Sequence, residues 1–193
     1  VYFVVPPQPL DIVILGVDAR DGEGWEARTD SVMLLNITPR TLDVRLLSIP
    51  RDVVIRVPDY GSQPINTINR IAELETPGSG PALVKASFQE SFGVGVDRVV
   101  RLDFDAFVAL IDAVGGVTID VPKRIVDYEF PTRDGGTIQI EFEPGRQKMD
   151  GERALQYART RHQDTDYARA ARQQQVVDAL IRKLANPTQV FHW

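Results

Sequence analysis

Residues 28–52, RTDSVMLLNITPRTLDVRLLSIPRD, place two apolar strand-like runs back to back and leave the chain few options around them. Ser31–Thr38 and Asp43–Ile49 are rich in Val, Leu and Ile. Between them Pro39-Arg40-Thr41-Leu42 is a turn signal, which predicts an antiparallel hairpin. A hairpin returns the chain to its start, so Arg28 and Asp30 should lie close to Arg51 and Asp52 at its open end. The body carries few charges, as expected of a sheet covered on both faces. Arginines and aspartates gathered at the edge of a buried sheet suit a metal and a phosphate. They equally suit two ordinary ion pairs at a solvated strand end, and the residues alone leave both open.

The rest of the composition narrows the classes. The chain has 193 residues, enough for one sizeable core, and is 43 % hydrophobic and 25 % charged, within the ordinary globular range. A net charge of −5 argues against a general nucleic-acid binder. Within that acidic balance residues 146–172 are crowded with arginine, which points to a specific anionic ligand. The absence of cysteine excludes disulfides and thiolate metal sites and leaves the compartment undecided. No apolar run reaches the length of a bilayer span.

Residues 1–10 hold Pro6, Pro7 and Pro9 and read as an extended lead-in. Asp11–Val17 reads as a central strand, followed by Asp18. A carboxylate just past the end of a central strand is either a ligand contact or a turn-forming Asp. Val53–Val57 suits another strand. Asn66–Glu75 and Pro81–Phe92 read as helices, the second with Val84, Phe88 and Phe92 at four-residue spacing. In Arg98–Val121 a strand, a helix bearing Phe104, Phe107, Val108, Ile111 and Val114, a Gly115-Gly116 stop and a second strand follow in order. That order predicts a βαβ unit with two parallel strands. Ile125–Phe142 reads as a peripheral hairpin. The expected class is therefore α/β: a single domain with a central, mostly parallel or mixed sheet, helices on both faces, and a small peripheral hairpin.

The C-terminal part reads as two helices, Asp150–Arg159 and Asp166–Leu184. Val176, Leu180 and Leu184 form a core stripe on the second, and helical spacing continues that face back through Gln173 to Arg169. An apolar face that turns cationic toward the helix N-terminus suits a bound anion. Pairing of Arg169 with a carboxylate elsewhere is the ordinary alternative. Arg159, Arg161, Arg169 and Arg172 crowd the same short segment, which favours the ligand.

With these residues in view the chain resembles the LytR–CpsA–Psr family of bacterial envelope phosphotransferases. The matching pieces are ILGVDAR (14–20), RTDSVML (28–34), LLSIPRDVVIRVP (46–58), DAVGGVTIDVP (112–122) and MDGERALQYARTRHQDTDYARAARQQQ (149–175). The resemblance implies a domain over residues 11–186 on the extracytoplasmic side of the cell membrane. It would have a single-pass N-terminal anchor preceding the lead-in at 1–10, and a tail at 187–193. It implies transfer of a glycan polymer from a polyprenyl-pyrophosphate lipid to a cell-wall acceptor such as peptidoglycan, with Mg²⁺ as cofactor. Carried over by position, Asp18 and Asp30 are the metal ligands. Arg28, Arg159, Arg161, Arg169 and Gln173 bind pyrophosphate, with Arg172 beside them, and Arg51 acts in the chemistry; because arginine stays protonated, a carboxylate such as Asp52 or a substrate oxygen takes the proton. The family's Lys-Ile-Asn element reads Pro64-Ile65-Asn66 here, so the lysine's contact is missing or comes from another cation such as Arg70.

Physical chemistry fits that assignment. Guanidinium forks and Mg²⁺ neutralise dense phosphate charge, and phosphoryl transfer needs positioning more than a protein nucleophile. Phe88, Phe92, Phe104, Phe107 and Val108 are either the walls of a lipid groove or plain core. Two other functions share these residues: a phosphohydrolase of polyprenyl pyrophosphates, and a non-catalytic polyprenyl-phosphate carrier.

Overall fold

The computed structural model describes residues 8–17, 24–38, 41, 43–132, 135–160 and 166–185. They form an α/β fold that falls into two compact units, Val1–Phe104 and Asp105–Trp193.

In the first unit β1 (Leu10–Val17), β2 (Thr29–Thr38) and β3 (Asp43–Ile49) form an antiparallel run. The expected hairpin is present, with Val32 opposite Ile49 and Thr38 opposite Asp43. A two-stranded piece follows, β4 (Val54–Val57) with β5 (Gly61–Pro64), then a 3₁₀ turn at Ile65–Thr67. Helices α1 (Ile68–Glu75) and α2 (Gly80–Phe92) lead to β6 (Arg98–Leu102). Strand β6 pairs parallel with β1, so the sheet is mixed, in the order β3-β2-β1-β6. β1 is central, as its unbroken apolar run requires: Val13, Leu15 and Val17 are at most 2 % exposed. Val13 and Leu15 with Val32 of β2 share a core with Ile68 of α1 and with Val84 and Phe88 of α2. Gly93, at φ +67°, ends α2 in the left-handed conformation that glycine takes without strain.

In the second unit α3 (Phe104–Ala113) is followed by β7 (Val117–Val121), then by the hairpin β8 (Ile125–Pro131) and β9 (Thr137–Phe142). Strand β10 (Gly145–Met149) and helices α4 (Gly151–Arg159) and α5 (Asp166–Ala185) complete it. Asp150 caps α4 by accepting from the Arg153 N–H at 2.8 Å. Ile111, Ile119, Phe142, Tyr157 and Val176 are the centre of its core. The sequence pieces 112–122 and 149–175 are stitched together here. Asp112 Oδ1 accepts from the Gly151 N–H at 2.7 Å, and Met149 pairs with Val117. At Gly116, φ +83°, a Cβ would stand 2.6 Å from the Met149 carbonyl oxygen, so this approach admits only glycine.

One expectation is corrected. β6 and β7 flank α3 as foreseen, but they are not parallel neighbours: β6 pairs with β1, and β7 pairs antiparallel with β10. The reason is visible in VTIDV, where Val117, Ile119 and Val121 are buried while Thr118 and Asp120 are exposed. That alternation belongs to a strand with one wet face, not to a parallel strand covered on both sides. No helix among the described residues is long and apolar enough to cross a membrane.

Candidate functional site

The open end of the β2–β3 hairpin carries the site. The register that sets Val32 opposite Ile49 brings Asp30 opposite Arg51 two residues further along each strand. Arg51 Nη1 donates to Asp30 Oδ1 at 2.9 Å, and the two side chains are 38 % and 36 % exposed. On the β1 side Gly16 pairs with Ser31 and Val17 with Thr29, so Asp30 is an extra residue, a bulge without a partner on β1. A bulge bends the strand and re-aims the side chain it carries. Gly16 permits the close approach of Ser31, whose Oγ would lie 2.3 Å from a Cβ at that position. The glycine of ILGVDAR and the aspartate of RTDSVML thus act on one local distortion.

A short turn fixes Arg51 from the other side. The Val53 N–H donates to the Pro50 carbonyl at 3.1 Å, and the Arg51 carbonyl accepts from the Asn66 N–H at 3.2 Å. The Asn66 carbonyl accepts from Thr29 Oγ1 at 3.3 Å. The 3₁₀ turn at 65–67 therefore ties the start of β2 to the turn bearing Arg51. Asn66 is 8 % exposed, and its Oδ1 is a buried side-chain oxygen without a hydrogen bond among the described residues. Asp52 is 85 % exposed and reaches Arg51 Nε only at 3.9 Å, while Arg28 faces solvent.

The approach to Arg28 is held by a separate cluster. The Arg101 guanidinium lies 4.5 Å from the Trp25 ring centre and donates to Glu73 Oε1 at 2.5 Å. Asn69 Nδ2 donates to the Trp25 carbonyl at 2.7 Å. Burial pushes the Glu73 carboxyl up, but the Gly78 and Gly80 N–H groups and Arg101 together hold it below the usual carboxylate range.

In the second unit the cations sit on α4 and α5. Arg159, half-buried at the end of α4, has its guanidinium 5.4 Å from the Phe130 ring centre. Arg169 and Gln173 lie one turn apart on α5, both half-buried. Arg172 is different: it is 4 % exposed, and it donates to the Tyr157 carbonyl at 3.0 Å and the Thr160 carbonyl at 2.5 Å. A guanidinium on the last carbonyls of α4 caps that helix and locks α5 against it. Thr160 Oγ1 in turn donates to the buried Asp127 at 2.7 Å. Asp18 and Arg161 lie outside the described residues.

Of the aromatic candidates, Phe88 is fully buried in the first core, and Phe92 stacks on it edge-to-face at 5.3 Å while remaining 44 % exposed. Phe104, Phe107 and Val108 are half-buried, and Phe107 packs against the second core. Sequence reading passed over Thr29, although it sits inside the RTD piece. It also passed over the Trp25–Glu73–Arg101 cluster, whose members are too far apart along the chain to show as a pattern.

Among the described residues no three acidic, His or Cys side chains gather into a metal cluster. What Asp30 offers is one hard oxygen bound to Arg51 and a second without a hydrogen bond among the described residues. That suits Mg²⁺, which is typically held by one or two carboxylates together with phosphate oxygens and water.

The LytR_cpsA_psr family model matches residues 5–193. A protein from Oceanobacillus iheyensis, named polyisoprenyl-teichoic acid–peptidoglycan teichoic acid transferase TagU, is 35 % identical over 179 residues, covering 92 % of this chain and 52 % of that protein. The crystal structure of Bacillus subtilis TagV superposes with a TM-score of 0.73 at 27 % identity, covering 94 % of this chain and 66 % of that one. The structure of TagT (YwtF) with bound octaprenyl pyrophosphate lipid gives 0.66 at 25 % identity, covering 96 % and 68 %. The chain spans about half the length of the curated relatives it matches.

Proposed function

The chain belongs to the LytR_cpsA_psr family, and from that premise we propose that it is a magnesium-dependent phosphotransferase. It moves a glycan polymer from a polyprenyl-pyrophosphate carrier to a cell-wall acceptor such as peptidoglycan, at the cell envelope. The observation that carries this reading is the Asp30–Arg51 pair, half-exposed at the bulged mouth of the hairpin and backed by main-chain hydrogen bonds.

In the proposed reaction an acceptor hydroxyl oxygen attacks the glycan-bearing phosphorus, and the bond to the bridging oxygen breaks. A phosphodiester to the glycan forms, polyprenyl monophosphate leaves, and the hydroxyl proton goes to a base. Asp30, with Asp18, would hold Mg²⁺, whose charge offsets that of the pyrophosphate. Arg51 stays protonated throughout and stabilises the charge that develops as the bond breaks. Its turn at Pro50–Val53 holds it in place before substrate arrives. Asp52, solvent-facing beside it, takes the proton. Arg28 at the hairpin mouth, Arg159 and Arg161, and Arg169 with Gln173 on α5 bind pyrophosphate oxygens. Arg172 contributes by holding the carbonyl end of α4. Phe92 is the aromatic of α2 open to an isoprenoid tail, and Phe104, Phe107 and Val108 are the corresponding apolar groups of α3.

The test supplies a polyprenyl-pyrophosphate-linked glycan labelled at the phosphates, with and without peptidoglycan. The expected product is label covalently attached to peptidoglycan. Glycan phosphate formed equally well in water alone would make the chain a hydrolase. Tight lipid binding without turnover would make it a carrier.

A further inference from the structure

Asn66 combines two features that rarely occur together. Its main chain is held at both ends, by the Arg51 carbonyl at 3.2 Å and Thr29 Oγ1 at 3.3 Å, and the adjoining Ile65 N–H donates to the Val53 carbonyl at 2.8 Å. Its side chain, in a residue only 8 % exposed, keeps Oδ1 without a hydrogen bond among the described residues. Buried acceptors are almost always satisfied. A rigidly held one left open beside the turn of Arg51 is placed for a donor that arrives with the ligand.

We infer that Asn66 Oδ1 accepts a hydrogen bond from an O–H group of the substrate complex, which makes Asn66 a ligand-contacting residue of the Arg51 site. Phosphate oxygens are excluded as the partner, because at neutral pH they are acceptors themselves. Two O–H sources share the required chemistry: the hydroxyl of the incoming acceptor sugar, and a water carried on the divalent cation. The inference rests on the phosphotransferase reading for its substrates. It does not rest on the family's lysine, which this chain lacks at Pro64.

The test compares wild type with Asn66→Ala and Asn66→Asp, the latter keeping size and an acceptor oxygen. Retention of Mn²⁺ in the presence of farnesyl pyrophosphate is read by electron paramagnetic resonance. The KM for a soluble peptidoglycan fragment is read from transfer. If the source is cation-bound water, Asn66→Ala weakens Mn²⁺ retention about tenfold, as expected for one lost hydrogen bond. If the source is the sugar hydroxyl, it raises the fragment KM by a similar factor with Mn²⁺ retention unchanged. In either case Asn66→Asp stays much closer to wild type. Asn66→Ala leaving both quantities unchanged would mean that ordinary water fills the position, and would overturn the inference. So would Asn66→Asp losing as much as Asn66→Ala, because the amide nitrogen would then be the contacting atom. Thermal melts run alongside; should the Ala variant not fold, Asn66→Asp alone still decides between acceptor and donor. Failure of the wider reading shows separately, as wild type that transfers no glycan while the Mn²⁺ measurement still reports.

Discussion

Two arginine–carboxylate pairs of the first unit are built to opposite specifications. Glu73 and Arg101 meet at 2.5 Å with side chains 5 % and 17 % exposed, and Glu73 also accepts from two main-chain N–H groups. Asp30 and Arg51 meet at 2.9 Å with side chains 36 % and 38 % exposed, and the aspartate keeps an oxygen in hand. In the first pair every strong acceptor is matched, so the pair can hold structure and bind nothing else. In the second the main chain is anchored while the side chains stay available. Rigidity at a site thus comes from the backbone beneath it, and reactivity from what the side chains leave unmade.

Breaking each pair should separate the two roles. The largest effect is expected from Arg101→Ala, which leaves a buried carboxylate short of its cation. It should destabilise the fold by about 3–5 kcal/mol, read as a lowered midpoint in denaturant. Arg51→Ala should cost less than about 1 kcal/mol of stability, since the pair is half in water. Equal losses of stability from the two variants would dissolve the contrast.

Next comes Arg51→Lys, which keeps the charge and loses the planar fork. Its kcat should fall by about two orders of magnitude with lipid affinity little changed, within the range for loss of one pre-organised donor. Weakened lipid binding with normal turnover at saturation would assign Arg51 to docking. Asp52→Asn should cost less, about tenfold in kcat, because so exposed a base is loosely positioned compared with the hundredfold or more of a well-placed one.

The smallest effect concerns pH. The fold holds the Glu73 carboxyl below its ordinary value of 4.5, so its contribution to stability is fully present above 4.5 and is lost as pH falls through the folded value. Stability followed by denaturant titration should therefore drop on acidification below 4.5, and the drop should shrink in Glu73→Gln. An unchanged acid profile in that variant would place the titrating group elsewhere.

The sequence showed the parts of this molecule that repeat a local rule. The β2–β3 hairpin, α2 with its Gly93 stop and the Asp150 cap follow from periodicity and end signals, and their limits agree within a residue or two. Juxtaposition of Asp30 with Arg51 followed from hairpin register alone. What stayed hidden depends on contacts distant in sequence. β10, GRQKM, is too polar to announce a strand and forms because β7 offers it an edge. Arg172 looked like its neighbours Arg159 and Arg169 until the carbonyls of Tyr157 and Thr160 were seen to take its donors. Asn66 stands at the end of the Pro64-Ile65-Asn66 element, but nothing in that element shows its burial or the bonds on either side of it.

The bulge at residue 30 also bears on how such a chain can change length. Losing one residue from a strand ordinarily turns every side chain beyond it to the wrong face. Here Gly16–Ser31 and Val17–Thr29 are already successive pairs on β1, with Asp30 standing outside the count. Excising it would close the ladder into a regular one and leave Val13, Leu15 and Val32 where they are. The carboxylate is in that sense a removable insertion: a single-codon deletion takes it away without any intermediate that has to repack the core.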